Sequence, residues 1–228
     1  MRFYFRYVLL TILLITGFHS YAQTHYEANI AIGAKSGMTL SKVNFQPSVP
    51  QSLLRGYMGG IMFRYVEEKN FGVIVELNLE QRGWKETFKN TSFAFQRRLT
   101  YIHLPILTHI FFGSPKIQGF FNAGPEIAYM LSNSTSSNFD YNNLPSVKNF
   151  PSENRNTDQF TLPVKYKFDY GISAGAGAEF ISKKNSFLLE GRFYYGLHDI
   201  FPNHAKDTFS GSSGMAIMIS LGYFYRIK

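Results

Sequence analysis

The chain has 228 residues, no cysteine, and 23 Lys+Arg against 15 Asp+Glu. Without cysteine there is no disulfide, no thiolate nucleophile, no Cys-ligated zinc and no lipidated cysteine. The positive balance is spread rather than gathered into a basic run, which points to anionic lipid headgroups and away from nucleic acid.

Arg2 and Arg6 precede an apolar stretch from Val8 to Phe18, and Ser20-Tyr21-Ala22 places small residues before a cut ahead of Gln23. This is the pattern of a secretory signal peptide over 1–22, since the apolar run is too short to span a bilayer as a helix. Residues 23–228 then form a single exported domain.

From residue 29 onward a two-residue period repeats in eight segments: 29–40, 55–66, 71–83, 98–112, 116–131, 167–181, 186–197 and 213–227. The third shows it most plainly. Phe71, Val73, Val75, Leu77 and Leu79 fall on one face, and Glu76, Asn78, Glu80 and Arg82 on the other. A strand with one wholly apolar face and one charged face is stable in lipid only if the sheet closes on itself. The connections alternate in length. Short polar turns occupy 67–70, 113–115 and 182–185; long loops occupy 41–54, 84–97, 132–166 and 198–212. Short turns at the periplasmic end and long loops outside are the pattern of outer-membrane barrels. The expected fold is therefore all-β, an eight-stranded antiparallel transmembrane β-barrel. Two alternatives are a ten-stranded barrel, with 139–147 and 159–164 as extra strands, and a soluble lipocalin-like barrel with the faces reversed.

Collecting the charged face across the strands gives Lys35, Arg64, Glu76, Glu80, Arg82, His103, Glu126, Asp169, Glu179, Glu190, Arg192 and Arg226. Eight strands leave a lumen just wide enough for side chains, so these groups are expected to plug it as a paired ionic network. Gly171, Gly175 and Gly177 would relieve crowding there. Aromatic residues at strand ends, among them Tyr57, Tyr65, Phe71, Trp84, Tyr101, Phe111, Phe112, Tyr129, Tyr170, Tyr195, Tyr223 and Tyr225, read as interfacial girdles. The loop 132–166 mixes Phe139, Tyr141, Phe150 and Phe160 with Ser and Asn, and is the candidate partner-binding loop.

In the last segment, Ser220, Gly222, Tyr225 and Ile227 have the spacing of a C-terminal assembly signal for the barrel-insertion machinery. Gly33-Ala34-Lys35-Ser36-Gly37-Met38-Thr39-Leu40-Ser41, Val75-Glu76-Leu77 and Gln81-Arg82-Gly83-Trp84-Lys85 resemble the opening of PorT-like outer-membrane β-barrel domains. Tyr101-Ile102-His103-Leu104-Pro105-Ile106-Leu107, Gly124-Pro125 with Tyr129, and Glu190-Gly191-Arg192-Phe193-Tyr194-Tyr195-Gly196-Leu197 continue the likeness. That resemblance implies a porin-like small barrel of the Bacteroidota cell envelope. Its founding member is associated with protein secretion and gliding.

His198, Asp199 and His204, near Ser210, Ser212 and Ser213, are the residue types of a lipid-modifying enzyme or a metal site, but no spacing pairs a nucleophile with a base. The expected protein is a monomeric, non-enzymatic outer-membrane barrel without cofactor or metal. Lipid, lipopolysaccharide and an envelope or secretion-machinery protein are its expected contacts. A small-solute channel and a lipid-modifying enzyme are the alternatives.

Overall fold

The computed structural model describes residues 28–89, 91–151 and 155–227. The segment 1–22, read as a signal peptide, lies outside them. Eight long antiparallel strands run up and down: β1 (Asn29–Gln46), β3 (Leu54–Glu68), β4 (Phe71–Glu86), β5 (Phe95–Gly113), β6 (Ile117–Ser137), β7 (Phe168–Ser182), β8 (Asn185–Asp199) and β9 (Gly211–Arg226). A two-residue strand, β2 (Gln51–Ser52), pairs with the top of β4. Each long strand pairs with its chain neighbours, and β9 pairs with β1, so the sheet closes. Closure leaves no unpaired edge, the condition for strands to cross a bilayer.

The outer wall follows the alternation. Ile32, Ile61, Phe63, Leu77, Ile106, Ile172, Leu189 and Ile219 are all exposed, while the alternate residues point inward and are buried. An apolar outer wall around a charged interior places the wall in lipid and rules out the lipocalin-like arrangement, whose polarity is opposite.

Two expectations are corrected. The ten-strand alternative fails: the loop after β6 holds single 3-10 turns at Leu144–Ser146 and Asp158–Phe160 and, among the described residues, adds no strand. Several strands also extend further on the extracellular side than the alternation reaches: β1 to Gln46, β5 from Phe95 and β6 to Ser137. The reason is a reversal of polarity with height. Above the bilayer the inward residues Val43, Phe45, Phe95 and Leu99 are buried and apolar, while outward Asn44, Gln46 and Ser136 face water.

Candidate functional site

The lumen is filled in three levels. At the centre, Lys35 on β1 faces Gly60 on β3 and Gly222 on β9 in register. With no side chains beside it, the ammonium reaches inward to Glu76 Oε2 at 2.7 Å and Glu190 Oε2 at 3.3 Å. From β8, Arg192 donates through Nη2 to Glu76 Oε1 at 2.8 Å and through Nη1 to Glu76 Oε2 at 3.0 Å. Its Nη2 also meets Glu190 Oε2 at 2.8 Å, and Nη1 lies 3.7 Å from Glu126 Oε1. Asn78 and Asn122 donate their amides to Glu76 at 2.9 Å and Glu190 at 2.8 Å. Lys35, Glu76, Glu190 and Arg192 thus each gain both a counterion and hydrogen bonds, the combination that makes burial tolerable.

Just above, on the extracellular side, the imidazole of His103 sits between two carboxylates. Its Nε2 is 3.0 Å from Glu80 Oε2 and its Nδ1 is 3.8 Å from Glu126 Oε2. Arg82 lies 3.6 Å from Glu80 and 3.7 Å from Asp169, and its guanidinium stacks over the rings of Tyr194 at 4.2 Å and Tyr101 at 4.6 Å. Tyr194 donates its hydroxyl to Asp169 at 3.0 Å. Space for these large groups comes from β7, whose inward face is Gly171, Ser173, Gly175 and Gly177. A Cβ on Gly171 would strike the Tyr194 ring at 2.6 Å, and one on Gly177 would strike the Phe120 ring.

Toward the periplasm, Ala31, Met62, Ile74, Leu107, Phe120, Leu188 and Phe224 form an apolar layer. The pair Arg64 Nη1 to Glu179 Oε2 at 2.6 Å crosses it, with Arg64 lying 4.4 Å over the Phe224 ring. His109 Nδ1 and Asn122 Oδ1, 2.7 Å apart, tie this layer to the central one. Of the twelve residues expected in the network, the structure brings eleven together. Arg226 is the correction: it stands at the periplasmic rim beside Lys69, Lys116 and Lys183, because β9 ends there. On β9, Ser220 is buried in the lumen, Gly222 also faces inward beside Lys35, and Tyr225 points to the lipid side; Ile227, just past the strand, is exposed.

The third level is an aromatic cap at the extracellular end. Trp84 is completely buried and meets Phe45 edge-on at 5.4 Å and Phe201 at 5.9 Å. Phe160, buried, packs on Phe95 at 4.5 Å, while Phe139 and Phe150 lie 5.2 Å apart and both contact Phe88 and Phe93. Tyr141 packs edge-on against Phe95 at 5.7 Å. Polar struts hold this fold-back. Arg97 donates to the carbonyl of Leu162 at 2.6 Å and to Asn133 Oδ1 at 3.0 Å. Glu86 accepts from Gln159 and from Arg155, each at 2.7 Å. Two expectations change here. The four loop aromatics turn inward and seal the barrel instead of presenting themselves to a partner. Trp84, Tyr101 and Phe111 lie inside the barrel and leave the girdles to residues such as Tyr57, Phe112, Tyr129 and Tyr170.

Alternation placed Asn78 on the charged face but gave no reason to single out Tyr194 and Asn122, although their inward phase was available. Of the candidate enzyme residues, Asp199 meets Ser212 and Ser213 across β8 and β9, while the two histidines have other partners. His198 packs edge-on against Tyr166 at 5.1 Å, and Asp199 accepts from the Ser212 backbone and from Asn203. His204 bonds Asp207 at 3.0 Å through its ring, and with its own backbone N–H holds that exposed carboxyl below its usual range. Among the described residues no group of three or more His, Cys, Asp or Glu has the arrangement of a metal site.

A family model described as "Outer membrane protein beta-barrel domain" matches residues 21–202. The chain belongs to that family. This localises it to the outer membrane. No curated protein matches it. Among solved structures, the outer membrane protein OprG from Pseudomonas aeruginosa is 10% identical, with 89% of this chain and 97% of that chain covered and a TM-score of 0.52. Neisserial surface protein A is 12% identical over 88% of this chain and 99% of that one, with a TM-score of 0.45. Ail, the attachment invasion locus protein of Yersinia pestis, is 12% identical over 86% and 98%, with a TM-score of 0.40. At such identities the likeness to OprG concerns the fold alone.

Proposed function

We propose that this outer-membrane barrel is a closed, non-enzymatic scaffold that binds an envelope partner through the polar outer surface of its extracellular loops. Among its family we place it with the PorT-like barrels of Bacteroidota, on the motifs around Lys35, Glu76 and Arg192. The observation that carries the reading is the stacking of three closures: an apolar layer, an ionic layer and an aromatic cap. A lumen so filled with side chains argues against a small-solute channel. The His198 ring packs against Tyr166 and Tyr170 instead of serving as base to a serine, which argues against a lipid-modifying enzyme.

With the loop aromatics turned inward, the surface left for a partner is polar. Asp140, Asn142, Asn143, Ser146, Lys148 and Asn149 are exposed along the loop after β6. Loops of this length on a rigid scaffold commonly carry binding. In-cell photo-crosslinking from Asn142 and Lys148, followed by mass spectrometry, tests the proposal. A discrete crosslinked envelope protein supports it; no crosslink from either site overturns it.

A further inference from the structure

The outer wall carries a patch that neither the lumen nor the loop cap uses. On β1, β3, β4 and β5, four strands adjacent in the closed sheet, the apolar band ends extracellularly at Leu40, Tyr57, Leu79 and Ile102. Above it, one on each strand and all on the lipid-facing side, stand Lys42 and Arg55, two residues from Leu40 and Tyr57, Arg98, four residues from Ile102, and Lys85, six residues from Leu79. Arg55 lies in register with Leu40, and Arg98 with Gly83. Gly83 has no side chain, so Arg98 leans over it to within 3.5 Å of the Arg55 carbonyl. Lys85 is two residues further along β4, or about 7 Å higher.

Among the described residues none of these four pairs with a carboxylate. Arg98 Nε is buried without a hydrogen-bond partner. The rest of the rim is less basic: near their extracellular ends β6 carries Ser134, β8 carries Asp199 and β9 carries Ser213, and the exposed Lys165 and Lys167 precede β7. Four adjacent strands thus each carry an outward cation at the height where lipid headgroups lie, with Arg55 and Arg98 on either side of Gly83 and the apolar wall below them.

The geometry points to a binding site for a phosphorylated glycolipid of the outer leaflet. Arg55 and Arg98 would take a phosphate between them over the gap at Gly83, with Lys42 and Lys85 at its flanks. The acyl chains would run down Leu40, Leu79 and Ile102, with the Tyr57 ring at the interface. A free phosphate shares the anion but not the chains, and the band below the cations favours the lipid. The site is independent of any protein partner on the loops.

The test is native mass spectrometry of the full-length mature barrel in neutral detergent, titrated with lipid A. Wild type should retain lipid A, and Arg55→Gln/Arg98→Gln should retain it about fivefold less for each charge removed. Lys183→Gln/Lys184→Gln, with the same charge change at the periplasmic turn, should behave as wild type. Equal retention by the Arg55/Arg98 pair variant, or equal loss in the periplasmic control, overturns the site. Displacement of lipid A by millimolar inorganic phosphate overturns the lipid assignment in favour of a free anion. Should the pair variant fail to fold, wild-type retention that does not fall with rising salt overturns the proposal, since surface ion pairing is screened.

Discussion

Arg192 and Glu76 grip one another with two parallel hydrogen bonds, 2.8 and 3.0 Å long, from strands on opposite sides of the barrel. β8 and β4 are four places apart in a ring of eight, so this pair spans the diameter. Lys35 and Glu190 close around it from β1 and β8. Removing Glu76 leaves two buried cations, Lys35 and Arg192, sharing Glu190, and loss of one partner from a buried ionic group costs about 3–5 kcal/mol. Glu76→Ala should lose stability of that order in urea unfolding of the lipid-reconstituted barrel. A double-mutant cycle with Arg192→Ala should show strong coupling; additive losses would mean the two charges are separately solvated.

The interior also predicts where bulk is refused. Gly171→Val would drive its side chain into the Tyr194 ring and the Tyr195 carbonyl. Overpacking costs about 1–3 kcal/mol where neighbours cannot yield, and backbone cannot. Folding yield, read as the heat-modifiable band on a gel, should fall. Gly191→Val, where a Cβ meets nothing within 4 Å on the outer wall, should leave it unchanged.

The single tryptophan reports on the cap. Buried against Phe45 and Phe201 inside the barrel, Trp84 should emit blue-shifted fluorescence and resist acrylamide. Brominated lipid should quench it weakly, because the barrel wall lies between. Strong bromine quenching would place the ring in the girdle and contradict the cap.

Arg97 straps the long loop to the rim through Leu162, Gln159 and Asn133. Hydrogen bonds to a charged group contribute about 1.5–3 kcal/mol each, so Arg97→Ala should free the loop while the membrane-embedded strands stay folded. Limited proteolysis should then cut within 132–166 several-fold faster, with heat modifiability retained. An unchanged cutting rate would assign the fold-back to aromatic packing alone.

The sequence exposed the membrane portion of the barrel because lipid imposes one rule on every outward residue. Phe71 to Leu79 obeys it without exception. The rule ends where the wall enters water. Around Phe45, Trp84 and Phe95 the inside becomes apolar and the outside polar, so an eye set for charge-inward strands stops at residue 40, 83 or 98. The same reversal hid the fate of Phe139, Tyr141, Phe150 and Phe160. Aromatics in a polar loop signal burial or binding equally, and only their packing against Phe88, Phe93 and Phe95 decides it. Phase alone placed eleven charged residues in the lumen, but it cannot tell a lumenal residue from one at the rim, and Arg226 belongs to the rim.

Conductance across a planar lipid bilayer tests the closed-scaffold reading most directly. The purified barrel, inserted and held under voltage, should give no stable unitary current, because the ionic layer and the apolar layer beneath it fill the lumen with side chains. Steady, reproducible single-channel openings by wild type would contradict the closed lumen and make the protein a small-solute channel.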